Sequence, residues 1–324
     1  MKTQTIGGVV IDGICTCLPA KSEDNLARCT EVYGDEKKAM SIVKATGINS
    51  RRIVEAGTSS LDLCEKAAQA LIEEIGLAPE EVGAVIDVTF TPERPMPCNA
   101  CQAQRRLGLP KDLMAFDINL ACSGWAYGLS VAGMLAKSLG KKVLLLDGDT
   151  QTTYMKKSDA ATVPVMADAG TATLVAPSEG VTESWKFAFL TDGSKGDALT
   201  LPFGGTISMD GLGIFKFVTM DVLYFIRDFM AAEGLAPDGL DAFVPHQANI
   251  FMIQQIAKKL KFPPEKLKIS GDVLGNSSSA TVPTTIAYTN ARGKLLISGF
   301  GGGLSASVGV IQVSESCKLK VVEL

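Results

Sequence analysis

Leu113-Met-Ala-Phe-Asp-Ile-Asn-Leu-Ala-Cys122-Ser-Gly-Trp-Ala-Tyr-Gly-Leu-Ser-Val-Ala-Gly-Met-Leu-Ala136 is the stretch that decides how this chain folds. An apolar run ends at Ala121, a cysteine follows, and a segment of small residues with helical spacing begins. The implied order is strand, thiol, helix. A thiol at that junction meets unpaired N–H groups and the positive end of a helix dipole. That placement can lower a cysteine pKa and supply thiolate near neutral pH. Gly124, Ala126, Gly128, Ser130, Ala132 and Ala136 leave little bulk on any face, so the helix is expected to be buried on all sides. Taken alone, the stretch fits an inert buried thiol better than a reactive one.

Outward from it, a duplication appears. Leu139-Gly-Lys-Lys-Val-Leu-Leu-Leu-Asp-Gly148 resembles Arg292-Gly-Lys-Leu-Leu-Ile-Ser-Gly299, so that Gly140 and Gly293 correspond. Ala169-Gly-Thr-Ala-Thr-Leu-Val175 resembles Gly303-Leu-Ser-Ala-Ser-Val308, with residues 150–167 inserted in the first half only. The same offset carries Cys122 to Asn276, within one residue. Thr281-Val-Pro-Thr-Thr-Ile-Ala-Tyr288 is a second helix of small residues, with Pro283 in its first turn. The two helices are expected to meet at the centre of the molecule.

Strands are expected over residues 4–18, 82–91, 141–147, 240–245, 266–270 and 294–298, and helices over 25–33, 37–46, 98–107, 214–233, 249–260 and 280–291. A further helix runs from a Ser60 cap to Ile75, with Leu63, Ala67, Ala70 and Leu71 inward. Pro92-Glu-Arg-Pro-Met-Pro97 is a loop. The whole implies a duplicated α/β chain with mostly buried parallel strands.

Composition narrows the function. A net charge of −4 leaves no basic footprint for nucleic acid. No apolar run approaches a membrane span, and Asp12 interrupts the first apolar stretch, which therefore reads as a strand and not a leader. Eight cysteines in 324 residues are too sparse for a disulfide scaffold. Cys15, Cys17, Cys64, Cys98, Cys101 and Cys317 read as reduced thiols of a cytoplasmic protein, and one histidine gives zinc little support.

That histidine, His246, follows an apolar strand in Phe243-Val-Pro-His-Gln-Ala-Asn249, at the sheet edge where α/β proteins bind ligands. Asn276 lies in Leu274-Gly-Asn-Ser-Ser-Ser-Ala280, which is also good turn chemistry. Ser298-Gly-Phe-Gly-Gly-Gly303 follows a strand and can aim N–H groups at a ligand. Thiol, imidazole, carboxamide and N–H donors at junctions of one type make a covalent-catalysis set.

Cys122 in Ala-Cys-Ser-Gly, Val244-Pro-His-Gln-Ala-Asn249, Gly275-Asn-Ser-Ser-Ser-Ala-Thr-Val-Pro283 and Gly299-Phe-Gly-Gly-Gly303 resemble the motifs of the β-ketoacyl-acyl-carrier-protein synthase III family. Thr46-Gly-Ile48 followed by Arg51-Arg52, and Asp168-Ala-Gly170, fit as well. The resemblance implies a thiolase-like five-layer αβαβα fold in two duplicated halves: residues 1–175 with the cysteine, and 176–324 with the histidine and asparagine. It implies that Cys122 takes an acyl primer, and that His246 and Asn276 hydrogen-bond the thioester carbonyl of malonyl-acyl carrier protein, with loss of carbon dioxide. The N–H groups of Cys122 and Gly302 would form the oxyanion hole. Phe300 would wall the site, Lys216 is retained as a substrate contact, and Met96 would reach a partner subunit's acyl pocket. It also implies an acyl carrier protein and an acyl-CoA or acyl-carrier primer as partners, a homodimer, and no metal or redox cofactor.

Where the family clamps acyl-CoA with Trp and Arg, this chain has Ser41 and Ala45; Thr153 and Phe251 stand where further arginines are expected. A specialised member with an unusual primer fits this pattern. Other readings of the residues are an acyltransferase forming an ester or amide without decarboxylation, a papain-like Cys-His-Asn peptidase and a non-catalytic subunit.

Overall fold

The computed structural model describes residues 1–324. In chain order, β1 (Gln4–Ile6) and β2 (Val9–Leu18) are followed by a small ribbon, β3 (Ser22–Asp24) and β4 (Ser50–Arg52), which brackets α1 (Asn25–Tyr33) and α2 (Glu36–Thr46). Then come α3 (Ser60–Ile75), β5 (Val82–Val88), α4 (Asn99–Arg106), β6 (Met114–Ile118), α5 (Gly124–Leu139), β7 (Lys142–Asp149) and β8 (Ala169–Pro177). β9 (Trp185–Thr191), a ribbon of β10 (Leu199–Thr200) and β11 (Ser208–Met209), α6 (Gly211–Lys216) and α7 (Leu223–Ala232) follow. The chain closes with β12 (Ala242–Pro245), α8 (Ile250–Lys259), α9 (Gly271–Leu274), α10 (Thr281–Thr289), β13 (Gly293–Gly301), β14 (Ser305–Val313) and β15 (Lys318–Glu323).

Two sheets carry the fold. One runs β15-β2-β8-β7-β5-β6 and the other β1-β9-β14-β13-β12. α5 and α10 lie between them in one shared core that includes Trp125, Leu129, Val282 and Ile286. α3 and α4 cover the outer face of the first sheet, and α7 and α8 that of the second. The result is five layers, α-β-α-β-α. The terminal strands cross over: β1 joins the sheet of the later residues, and β15 joins that of the earlier ones.

Glycine explains how α5 fits. A Cβ at Gly124 would stand 2.5 Å from a Val88 methyl, and one at Gly128 2.7 Å from the other. The helix therefore lies closer to β5 than any side chain permits, which offsets the cost of glycine inside a helix.

The structure corrects several expectations. The sheets are mixed, not mostly parallel: β8 and β14 run antiparallel to both neighbours. β13 and β14 are joined by a tight turn, and a short connection can only reverse direction. Residues 4–18 form two strands in different sheets, parted at Gly7-Gly8. The α3 cap is Ser59, in a capping box with Asp62; Ser60 is the first helical residue and its hydroxyl goes to the Thr91 carbonyl. α5 is not buried on all sides along its length: Met134, Lys137 and Leu139 are exposed, while Ala132 and Ala136 stay buried on the inner face. Lys266–Ser270 is not a strand. One parallel bridge, Phe243 to Leu267, stands there, at the place β6 holds beside β5.

Candidate active site

Cys122 sits on the turn between β6 and α5. That turn is tied down by Gly124 N–H to the Ala121 carbonyl (2.7 Å), the Ser123 and Ser305 hydroxyls (2.7 Å), and the Ser307 hydroxyl to the Ser123 carbonyl (3.1 Å). The glycine turn after β13 closes over it. A Cβ at Gly301 would lie 2.8 Å from Cys122 Cβ and 3.0 Å from its sulfur.

His246 directly follows β12. Its N–H extends the sheet pairing to the Ser298 carbonyl at 2.7 Å, and its ring is buried edge-on to Phe300, 5.3 Å between centroids. Nδ1 stands 2.7 Å from Thr281 Oγ1, so Nε2 is the ring nitrogen left for a ligand. Gln247 locks the segment, its Nε2 donating to the Pro245 carbonyl and its Oε1 accepting from Ser270 and Gly271 N–H. Asn249 caps α8 through Met252 N–H.

Asn276 comes from the turn after α9. The first-half insertion holds its backbone: Asn276 N–H donates to the Val165 carbonyl, and Ala167 N–H to the Asn276 carbonyl. Its Oδ1 accepts Ser278 N–H at 2.9 Å. That turn bond engages the acceptor end of the amide and leaves Nδ2 as a donor.

Cys122, His246, Asn276, Phe300 and Gly302 all line one cavity of about 550 Å³. Apolar side chains dominate the rest of the wall, among them Ile42, Val165, Leu199, Ile207 and Met252. The size suits a small-molecule site with a few fixed polar groups. Two residues of the sequence set stand apart. Met96 is 84% exposed on the proline loop, and Lys216 is exposed at the end of α6, beyond the lining residue Ile214. Ser41, Ala45, Thr153 and Phe251 are exposed and do not line the cavity.

Burial shapes the electrostatics of the site. Burial pushes the Cys122 thiol up to about 12; the nearby Ser278 side chain opposes the rise, and Asp149 adds to it. Desolvation favours the neutral thiol, although the residue is half-buried and faces the cavity. Burial lowers His246 to about 3, and the imidazole is neutral. The roles of Ser278 and Thr281 and the burial of Asp149 behind the site do not follow from the sequence motifs. The nearest signal was the run of small hydroxyl residues after Asn276.

Comparisons with known proteins agree with this geometry. Residues 116–193 match the family described as 3-oxoacyl-[acyl-carrier-protein (ACP)] synthase III, and residues 230–313 match its C-terminal part. Over 281 residues the chain is 33% identical to the beta-ketoacyl-[acyl-carrier-protein] synthase III of Serratia proteamaculans, covering 82% of this chain and 87% of that protein. The chain belongs to the β-ketoacyl-[acyl-carrier-protein] synthase III family.

The synthase III likeness extends to the coordinates. The crystal structure of a 3-oxoacyl-(acyl-carrier protein) synthase from Burkholderia xenovorans LB400 matches with a TM-score of 0.94 at 30% identity, covering 100% of this chain and 99% of that one. The priming β-ketosynthase of the R1128 polyketide pathway matches with a TM-score of 0.87 at 26% identity, covering 95% and 97%. The synthase III fold thus runs end to end, and the layers described above are those of a thiolase-fold condensing enzyme. No helix is long and apolar enough to cross a membrane.

Proposed function

We propose that this chain joins an acyl primer carried on Cys122 to the malonyl group of malonyl-acyl carrier protein, releasing carbon dioxide and forming a β-ketoacyl thioester. The observation that carries the reading is the convergence of Cys122, His246 and Asn276 on one apolar cavity, with Nδ1 and Oδ1 already engaged. What remains free is a sulfur and two nitrogens.

Acyl loading forms a bond between Cys122 sulfur and the primer carbonyl carbon, and breaks the primer's carrier thioester. Malonyl thioester then enters with its carbonyl oxygen between His246 Nε2–H and Asn276 Nδ2–H. Two neutral donors favour the enolate that appears as carbon dioxide leaves, because they gain strength as negative charge develops. This needs the Nε2–H tautomer, in which the Thr281 hydroxyl turns its one proton to Nδ1 and away from the Ser278 carbonyl 2.8 Å off. Phe300 sets an apolar ring beside the site, where an ionised carboxylate is poorly solvated. The enolate attacks the acyl-cysteine, the oxyanion rests on the N–H groups of Cys122 and Gly302, and collapse frees the sulfur.

An acyl carrier protein is the partner that the relatives' names support. The primer arrives on CoA or on a carrier protein. Two copies form a homodimer in which exposed Met96 enters the other copy's cavity, with Lys216 near the mouth taking a substrate contact.

The test is a reconstituted reaction with malonyl-acyl carrier protein and a panel of acyl-CoA and acyl-carrier primers. Condensation gives a β-ketoacyl product with one carbon dioxide for each, and the product is absent in Cys122→Ala, which keeps the two donors that assist decarboxylation. Acyl transfer to an alcohol or amine with no carbon dioxide would replace this reading by ester or amide formation.

A further inference from the structure

Two of the cysteines differ from the rest. Cys15, Cys17, Cys29, Cys64 and Cys317 are buried and Cys122 faces the cavity, whereas Cys98 is half-buried and Cys101 is exposed. Their two sulfurs touch, with Cys98 Sγ 3.4 Å from Cys101 Sγ. No step of the condensation uses either one.

The start of α4 brings the pair together. Cys98 holds the cap position, and Cys101 is the third residue of the helix. These are the two places whose side chains meet in a capping box. A cap side chain ordinarily accepts a backbone N–H of the first turn, but Cys98 makes no such bond. Asp117 on β6 does the capping in its place, its two carboxylate oxygens accepting Asn99 and Ala100 N–H at 2.8 Å each. The Cys98 side chain is thereby free to face Cys101. Cys101 Sγ has the Ala115 carbonyl of β6 on its other side, at 3.9 Å.

Cys98 is also the root of the proline loop. Residues 94–97 are all exposed. The loop is pinned at its start, where Glu93 N–H donates to Asn99 Oδ1 at 3.1 Å and the Glu93 carboxylate accepts Arg106 Nη2 at 2.8 and 3.0 Å. At its end the first residue with a partner side chain is Cys98, two positions after Met96.

We propose that Cys98 and Cys101 are a reversible dithiol–disulfide pair, closed by exchange with a small disulfide such as oxidised glutathione, and that closure fixes the root of the loop that carries Met96. A disulfide needs its sulfurs about 2.05 Å apart, so closing this contact asks for a shift of about 1.4 Å, which rotation of two side chains can supply. Exposed Cys101 attacks first, as thiolate, on one sulfur of the small disulfide. That bond forms as the S–S bond of the small disulfide breaks, and one small thiolate leaves. Cys98 then loses its proton and attacks the Cys101 sulfur, which forms the intrachain bond and expels the second small thiolate. The two protons end on the two small thiols, and two electrons pass from the protein to the oxidant. Excess small thiol runs the same steps backwards. An exposed Cys-x-x-Cys pair belongs with the labile, exchanging disulfides and not with the buried structural ones.

The test is equilibration of the full chain in glutathione buffers of rising oxidised fraction, quenched with acid, alkylated and read by peptide mass. The peptide holding both cysteines is expected to become two hydrogens lighter and to resist alkylation. It should pass from mostly reduced to mostly oxidised over about a hundredfold change in the square of the glutathione concentration divided by that of its disulfide. Cys98→Ser removes the resolving thiol, so Cys101 should instead carry one glutathione and follow the unsquared ratio. Hydrogen exchange across residues 93–102 should slow about threefold or more in the closed form. The proposal is overturned if both thiols stay reduced in the most oxidising buffer, if wild type collects glutathione adducts in place of the intrachain bond, or if exchange across residues 93–102 is the same in both forms. None of these readouts involves Cys122 or an acyl substrate, so the condensation reading stands or falls separately.

Discussion

His246 Nδ1 and Thr281 Oγ1 stand 2.7 Å apart, and this contact selects the face that the imidazole turns to the cavity. Thr281 opens α10, whose first turns are buried beside the sheets, so the hydroxyl is fixed by packing as well as by bonding.

Thr281→Val keeps the shape and removes the hydroxyl. Condensation is expected to fall about ten- to a hundredfold through loss of the donor tautomer, a positioning effect. Thr281→Ser should recover most of it. The measurement is kcat in the reconstituted reaction. The stability loss should be about 1 kcal/mol by chemical denaturation.

Gly301→Ala tests the fit around the sulfur. Its methyl would sit 3.0 Å from Cys122 Sγ and 2.8 Å from Cβ, tighter than ordinary contact. Acyl loading of Cys122, followed by intact mass, should slow about a hundredfold, since a small misplacement of reacting atoms is costly. Overpacking should also cost about 1–3 kcal/mol of stability.

Arg51→Met tests the support of Asn276. Arg51 is buried, paired with Glu23, and its Nη1 donates to the Met166 carbonyl at 2.6 Å, beside the bridge from Met166 to Asn276. Removing one partner of a buried pair costs about 3–5 kcal/mol. A lower denaturation midpoint and weaker condensation are both expected.

Much of this site can be read in the letters. His246 after a strand, Asn276 after a glycine, and the glycine turn were placed by motif and by strand-end logic, and all line the cavity. Asn276 shows why turn chemistry and site chemistry were not alternatives: the bond that makes the turn also aims the amide. What could not be read depends on distant packing. A run of Asn-Ser-Ser-Ser codes many turns and does not announce a positive φ at Ser278. The upward push on the Cys122 thiol comes from burial and from carboxyls brought by β7, which lie outside its own stretch. Residues 266–270 have strand-like letters, but only Leu267 finds a bridge.

The buried acids also set a pH dependence of stability. Burial raises Asp87 to about 8, with Asp117 adding to the rise and the nearby Asn99 side chain opposing it. A carboxyl raised in the folded state binds more protons there than when unfolded. Its contribution is present below its unfolded value and is lost as pH rises through about 8. His246, lowered to about 3, acts oppositely, but only below its ordinary value of 6.5. Between about pH 6.5 and 8 wild type should therefore lose stability, by at most about 1.4 kcal/mol per pH unit from this group. Asp87→Asn should flatten that slope in urea denaturation.

The most direct measurement is the mass on Cys122 through one turnover. The chain is loaded with an acyl primer, digested in part, and the remainder chased with malonyl-acyl carrier protein while released carbon dioxide is counted. The acyl mass is expected on the Cys122 peptide before the chase and gone after it, with carbon dioxide equal to the acyl lost. Label on another residue, or acyl leaving Cys122 without carbon dioxide, would contradict the account.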